Sequence, residues 1–484
     1  MKLNFKPVIS ITGLLCMFFS VSVIPAIFVS WYYGDGELGD LTESFVLMLT
    51  TGIILWLLTR GAQISLRGKD GFFVVTLFWL LLGVLGALPF VLALNVSWVD
   101  ALFESVSGLT TTGATVFSNL DSMQPSILFY RQELQWFGGM GLIVLAVAVL
   151  PMLGIGGMSL YRAETPGPMK EDKMMPRLYK GSRILWLLYV GITVLCAVAY
   201  WLAGMSAFDA VSHSLSTVST GGYSTHDASL GYYNSRVIDN IAVFFMLLGA
   251  INFSIHYAAL YNQNLKTYLQ DSEVRIFLLF IVAASVFVAV TLWLSGYKDH
   301  LTDSFQIAVF EVVSIITTTG YGIDDFSLWP LFLPFLLIMI SFVGGCGGST
   351  AGGVKVMRVH ILIRLGYREI LRLVHQKGMF PIRIGGKPVA DKTLQSILGF
   401  FSVYVASFVT LMLALLAATG VDQVTAFSAI ATCINNTGPG LREVALSFSS
   451  LNDPGKMISV AAMLLGRLEV FSILVLFHPE FWRG

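Results

Sequence analysis

The sequence predicts an all-α membrane protein: four helix–pore-loop–helix repeats around one pore, plus two leading transmembrane helices. Three observations carry that prediction. The chain is 56% hydrophobic and only 12% charged, whereas a soluble domain carries about 25% charged residues. Apolar runs near the ~20 residues needed to cross a bilayer core recur along the whole sequence. Between them one short polar pattern stands four times: Thr110-Thr111-Thr112-Gly113, Ser219-Thr220-Gly221-Gly222, Thr317-Thr318-Thr319-Gly320 and Asn435-Asn436-Thr437-Gly438.

The apolar runs occupy 8–31, 41–59, 72–94, 129–153, 183–203, 236–261, 274–296, 330–362, 393–419 and 455–478, which predicts about ten spans. The first follows Lys2 and Lys6 but is long and lacks a small-residue cleavage site, so it reads as a retained membrane helix rather than a signal peptide. Residues 1–70 hold the two leading helices. Repeats then fill 71–155, 156–265 (with a cytoplasmic loop), 266–375 (with an intramembrane Gly-rich loop) and 376–484.

Register supports the repeat. Glu104, His213, Glu311 and Ala429 each stand nine positions before Gly113, Gly222, Gly320 and Gly438. Asp100 and Asp209 open two short helices, and Asp303 and Asp422 fall near the start of the others. Aspartate suits a helix N-terminus by capping free N–H groups and meeting the positive dipole end. A helix of roughly 10–12 residues reaches about halfway through the bilayer and must return.

Charge placement sets orientation. Roughly four-fifths of the Lys and Arg residues fall in one set of loops, including 154–182 and 363–392, so that face is cytoplasmic and both termini lie on it. The other face carries Asp35, Glu37, Asp40, Glu43, Asp121, Glu133, Asp227, Asp299, Asp324, Asp325 and Asp453, an acidic vestibule that concentrates cations. Arg364, Arg368 and Arg372 at i, i+4 spacing suggest a solvated or headgroup face, or a docking surface for a soluble partner. Zero net charge leaves no nucleic-acid footprint, and Cys16, Cys196, Cys346 and Cys433 fit no zinc or redox spacing.

Polar, glycine-containing backbone inside a bilayer is tolerated where it lines a wet cavity or is buried in protein. The four turns offer successive carbonyls with small side chains, which can replace the water shell of a monovalent cation. Their glycines permit the positive φ that lets consecutive carbonyls face one way. The candidate filter residues are Thr111, Thr112, Gly113, Thr220, Gly221, Gly222, Thr318, Thr319, Gly320, Asn436, Thr437 and Gly438. Glu104, His213 and Glu311 are expected to support the filter from behind. Gly344 to Gly353 holds six glycines in ten residues, matches no phosphate-loop motif, and is either close helix packing or an intramembrane loop. Arg467 in the last span is either half of an ion pair with Glu469 or an electrostatic barrier.

These motifs, with Thr319-Gly320-Tyr321-Gly322 close to a potassium-channel filter, resemble the Trk/Ktr/HKT superfamily of potassium transporters, and within it the bacterial TrkH type. The resemblance spans essentially the whole chain, leading helices included. It implies a potassium-selective transport subunit of the bacterial inner membrane, not an enzyme, with K+ as the transported ion and no organic cofactor. It implies a homodimer and a cytosolic nucleotide-binding TrkA-type regulatory subunit. It also implies that Gly345, Gly347, Gly348, Ser349, Thr350 and Gly352 form a gating loop, with Arg467 as a barrier below the filter. Asn435 and Asn436 depart from the threonine pattern, so the four walls are not chemically equal. A Na+- or H+-coupled potassium symporter is the alternative. An intramembrane hydrolase built on Ser349 lacks a histidine in register and leaves the four repeats unexplained.

Overall fold

The computed structural model describes residues 5–60, 68–149 and 178–482. Part of the expected basic face (Lys2, Arg67, loop residues 154–177 and Arg483) lies outside them. The first leading span runs Phe5–Tyr33 and the second Leu38–Leu58. They cross where Gly13 meets Gly52; a Cβ on either glycine would strike the backbone of the other helix.

Four times the chain then crosses in a long helix, turns back through a half-helix and a buried turn, and leaves by a second helix. The first helices of the four copies are Gly68–Gly86 (continued by Leu88–Leu94), Leu178–Leu202, Ser272–Leu294 and Asp391–Thr419. The half-helices are Trp98–Leu109, Ala207–Val218, Leu301–Ile316 and Gln423–Asn435. Ser97 and Ser206, not the expected aspartates, cap the first two; their hydroxyls accept the Asp100 and Asp209 N–H groups and donate to the carboxylates. Asp422 caps the fourth directly. The third is a turn longer and has no side-chain cap.

All four returning helices break, as the Gly-rich loop led one to expect of the third but not of the other three. Pro125–Val149 kinks at Gly141 (φ 58°). Arg236–Ala250 turns by 96° into Phe253–Tyr261, and Asp453–Arg467 turns by 103° into Phe471–Phe477. The expected span 330–362 is only the helix Leu333–Ser341, the Gly-rich loop, and then the helix Val356–Val374. Among the described residues six helices are long and apolar enough to cross a membrane, or eight if each bent pair is one span. Hydropathy counts apolar residues but not the carbonyls that a break sets free, and those carbonyls are used below.

Packing divides the four repeats in two. One apolar core joins the leading helices to the first and fourth copies through Leu15, Val106, Leu109, Ile430 and Val460. The other joins the second and third through Val218, Ala242, Val312 and Ile315. The four buried turns lie where the copies meet. Beyond the Gly-rich loop, Val356–Val374 packs Met357, Ile361 and Leu365 onto Ile382, Leu394 and Ile397. A two-residue hairpin pairs Arg383 with Pro388 and Ile384 with Lys387 around Gly385-Gly386.

Candidate permeation site

Each half-helix ends in the same backbone sequence. Its C-cap residue (Thr110, Ser219, Thr317) or last residue (Asn435) is followed by one in the left-handed region: Thr111 at φ 56°, Thr220 at 54°, Thr318 at 56° and Asn436 at 56°. Two residues on, Gly113, Gly222, Gly320 and Gly438 are left-handed again, at 79°, 79°, 81° and 100°. A β-branched threonine in that region costs about 1–3 kcal/mol, so three copies hold strain that their surroundings must maintain. Asparagine tolerates the conformation better. The fourth copy thus departs in side chain while keeping the backbone.

The hydrogen bonding repeats as well. The N–H groups of Thr112, Gly221, Thr319 and Thr437 donate to the carbonyls of Ser107, Ser216, Ser314 and Thr432 at 2.9, 2.8, 2.8 and 2.9 Å. The turns close a ring: a Cβ added to Gly113 would fall on the Gly221 carbonyl, one on Gly222 on the Thr319 carbonyl, one on Gly320 on the Thr437 carbonyl, and one on Gly438 against the Thr112 carbonyl. Glycine is therefore required twice over, by its φ and by its neighbour. The carbonyls of Thr112, Thr319 and Thr437 accept no hydrogen bond from any described residue, whereas Gly221 accepts one from Gln135 at 2.6 Å. Buried carbonyls normally have a partner, so this ring presents oxygens still able to bind. On one side it forms the floor of an open cavity that reaches Asp227, Asp324 and Asp325.

Behind the ring, Glu104 accepts from the Thr115 hydroxyl (2.9 Å), the Val116 N–H (3.1 Å) and Arg131 Nε (2.8 Å). Glu311 accepts from the Ile323 and Asp324 N–H groups at 2.8 and 3.2 Å. His213 bridges the Asp209 carbonyl and the Ser224 hydroxyl, each at 2.9 Å. All three hold the chain just beyond their own filter turn. Ala429 cannot do so, and in the fourth copy the adjacent Ser428 accepts the Leu441 N–H instead, at 3.0 Å.

Beneath the ring lies the Gly-rich loop. Thr350 donates its N–H to the Gly249 carbonyl and Cys346 donates to that of Ala250, so the loop occupies carbonyls freed where the second returning helix breaks. Gly347 N–H donates to Glu273 at 2.8 Å, the Gly348 carbonyl accepts from Phe253, and that of Gly345 accepts from Val356. Ser349 donates to the Cys346 carbonyl at 2.6 Å. The loop reaches three filter turns: Thr220 bonds to the Thr350 hydroxyl at 3.1 Å, Gly352 N–H donates to the Thr318 hydroxyl at 2.6 Å, and Gly353 N–H donates to the Asn435 carbonyl at 3.1 Å. Arg467 reaches the remaining one. It donates to the Thr111 hydroxyl (3.3 Å) and the Thr350 carbonyl (3.1 Å), and to the carbonyls of Gly138 and Gly139 beside the Gly141 kink. Glu469, the partner in the ion-pair alternative, pairs with Arg358 at 2.6 Å.

Several residues that hold this site are not among the sequence-based candidates. Arg131 pairs with Glu104 at 2.7 Å, both fully buried, and its guanidinium lies 4.2 Å from the Tyr223 ring centroid. Gln135 ties the same returning helix to the second filter turn through Gly221 and Tyr223. Glu133, expected on the acidic face, is instead buried, midway between them in the helix. The signal was the run Arg131-Gln132-Glu133 inside an apolar span, because charges at membrane depth are expensive.

Four half-helices thus end on one ring of backbone oxygens in a predominantly helical membrane protein. Residues 39–483 match the family model for TrkH, described as a cation transport protein. The chain is 48% identical to the Trk system potassium uptake protein TrkH of Vibrio parahaemolyticus, and that match covers all of both chains. It is 47% identical to TrkH of Escherichia coli over 99% of its length and all of the relative's. The crystal structure of the Vibrio parahaemolyticus potassium transporter TrkH superposes with a TM-score of 0.90 at 45% identity, covering 99% of this chain and all of that one. This chain belongs to the TrkH family, a family of transporters and not of enzymes.

Removing one member of a buried ion pair leaves the other charge unpaired, at a cost of about 3–5 kcal/mol. Arg131→Ala should therefore strongly lower the melting temperature of the purified protein, and Glu104→Gln should also lower it. A melting curve unchanged in Arg131→Ala would show that this pair does not hold the filter.

Proposed function

We propose that this protein carries potassium into the cell across the bacterial inner membrane, as the transport subunit of a Trk-type system. The observation that carries the reading is the closed ring of four left-handed turns, each glycine against its neighbour's carbonyl. A dehydrated potassium ion needs several oxygens at once, and carbonyl dipoles in a pseudo-fourfold ring supply them without a fixed countercharge. The half-helices aim their negative C-terminal ends at the same point. Filter residues Thr111 to Gly113, Thr220 to Gly222, Thr318 to Gly320 and Asn436 to Gly438 bind the ion, and Glu104, His213 and Glu311 keep their turns in shape. The relatives' names, potassium uptake proteins of the Trk system, favour potassium over other cations.

Below the filter, the loop 345–352 and Arg467 form the gate. The guanidinium sits where a departing cation must pass, and the loop covers three of the four turns. The acidic mouth faces outward and the basic face, with both termini, faces the cytoplasm. A homodimer, and a TrkA-type regulatory subunit docked on the basic face near the helix Val356–Val374, complete the assembly. Because that helix leads directly out of the loop, a subunit bound there has a short route to the gate.

Two substitutions test the reading in proteoliposomes. Gly113→Ser or Gly320→Ser should lower discrimination between potassium and sodium by about 1.4–2.8 kcal/mol, roughly ten- to hundredfold, at near-normal protein yield. Unchanged ion ratios in both would refute the filter assignment. Arg467→Ala should raise cation flux at matched protein level, and equal or lower flux would count against its barrier role.

A further inference from the structure

At the mouth, neighbouring copies are joined in two different ways. The second and third meet through backbone, Gly231 N–H to the Gly322 carbonyl at 3.1 Å. The fourth and first meet likewise, Phe448 N–H to the Thr115 carbonyl at 2.8 Å. The first and second are joined by a titratable side chain. His226 Nδ1 lies 2.5 Å from Asp121 of the first copy, and its Nε2 lies 3.7 Å from Asp209 at the start of the second half-helix. The Asp121 carboxylate also accepts the Asp227 N–H at 3.4 Å. Tyr232 stacks on the imidazole, with ring centroids 3.5 Å apart and planes 5° apart, which fixes its orientation.

We infer that His226 is a proton-controlled positioning residue, which clasps the first and second copies at the outer mouth and sets how strongly that mouth captures cations. This rests on the conduction reading above and adds regulation by external pH to it. The clasp is one turn of chain beyond the filter: His226 N–H donates to the Ser224 hydroxyl, which also meets His213. It lines the same cavity as the four filter glycines.

The charged and titratable groups around the imidazole are Asp121 and Asp209, the adjacent Asp227, His213 with its ring centroid 6.4 Å away, and Tyr232 and Tyr233. Arg131 reaches the nearby Ser224 carbonyl. Burial disfavours the imidazolium, but the two carboxylates outweigh it, so His226 titrates above the ordinary histidine value. The sign follows. Below that raised pKa a positive charge sits between the carboxylates, the clasp is closed and the mouth is less negative. As pH rises through it, the charge is lost, the clasp loosens and the potential at the mouth becomes more negative, so local cation concentration rises.

The test is rubidium uptake by the full-length protein in liposomes of clamped internal pH, with external pH varied from about 5.5 to 8.5 around the ordinary histidine value of ~6.5. In wild type the half-saturating rubidium concentration should fall about threefold as pH rises. His226→Gln should show the low, alkaline value at every pH. Asp121→Asn, which keeps the histidine but removes one carboxylate, should move the midpoint to lower pH. A pH profile in His226→Gln identical to wild type, or an unmoved midpoint in Asp121→Asn, would overturn the inference. Folded wild-type protein that takes up no rubidium at any pH would overturn the conduction reading itself, and this inference with it.

Discussion

The structure depends on one constraint: a carbonyl buried in a bilayer must have a partner, and three carbonyls of this ring receive none from the described protein. The left-handed residue and the left-handed glycine in each turn present those groups to a common centre. The rest of the molecule reads as the means of keeping four left-handed turns, three of them strained, in that arrangement. The half-helices end against them, the buried Glu104–Arg131 pair and its counterparts fix the chain just beyond, and two apolar cores press the copies together in pairs. Strain of this sort persists only where the surroundings over-determine it.

The breaks in the returning helices belong to the same logic. An unbroken helix satisfies its own carbonyls and has nothing to offer a neighbour. Breaks at Gly141, after Ala250, around the Gly-rich loop and after Arg467 free backbone groups at membrane depth. Those groups are taken up by one another: Gly249 and Ala250 by the loop, Gly138 and Gly139 by Arg467. The arrangement beneath the ring is therefore well satisfied, by contacts that the proposed gating would have to exchange. Where the loop passes into the helix Val356–Val374 it is anchored by an ion pair, Arg358 to Glu469.

Much of this was legible in the sequence because the relevant signals are local and repeated. Four Thr/Asn-and-Gly turns, with Glu104, His213 and Glu311 nine residues ahead of three of them, can be aligned by eye. The Gly-rich loop stands out because six glycines cannot remain helical. What escaped is long-range or depends on geometry. Arg131 and Gln135 act on the turn of the next copy, about ninety residues away. Ser428 substitutes for Ala429 from one position earlier, which a strict register misses. Glu133 looked like a surface acid because its depth within the helix Pro125–Val149 is set by where that helix starts, and apolar counting does not give that.

The central claim is that an alkali ion sits on the axis where the four turns meet. Crystals of the protein grown in rubidium, measured at the rubidium absorption edge, test it most directly. The account predicts anomalous density on the axis between Gly113, Gly222, Gly320 and Gly438, close to the carbonyls of Thr112, Thr319 and Thr437. Rubidium density elsewhere in the protein, with none on that axis in a preparation that still transports the ion, would contradict it.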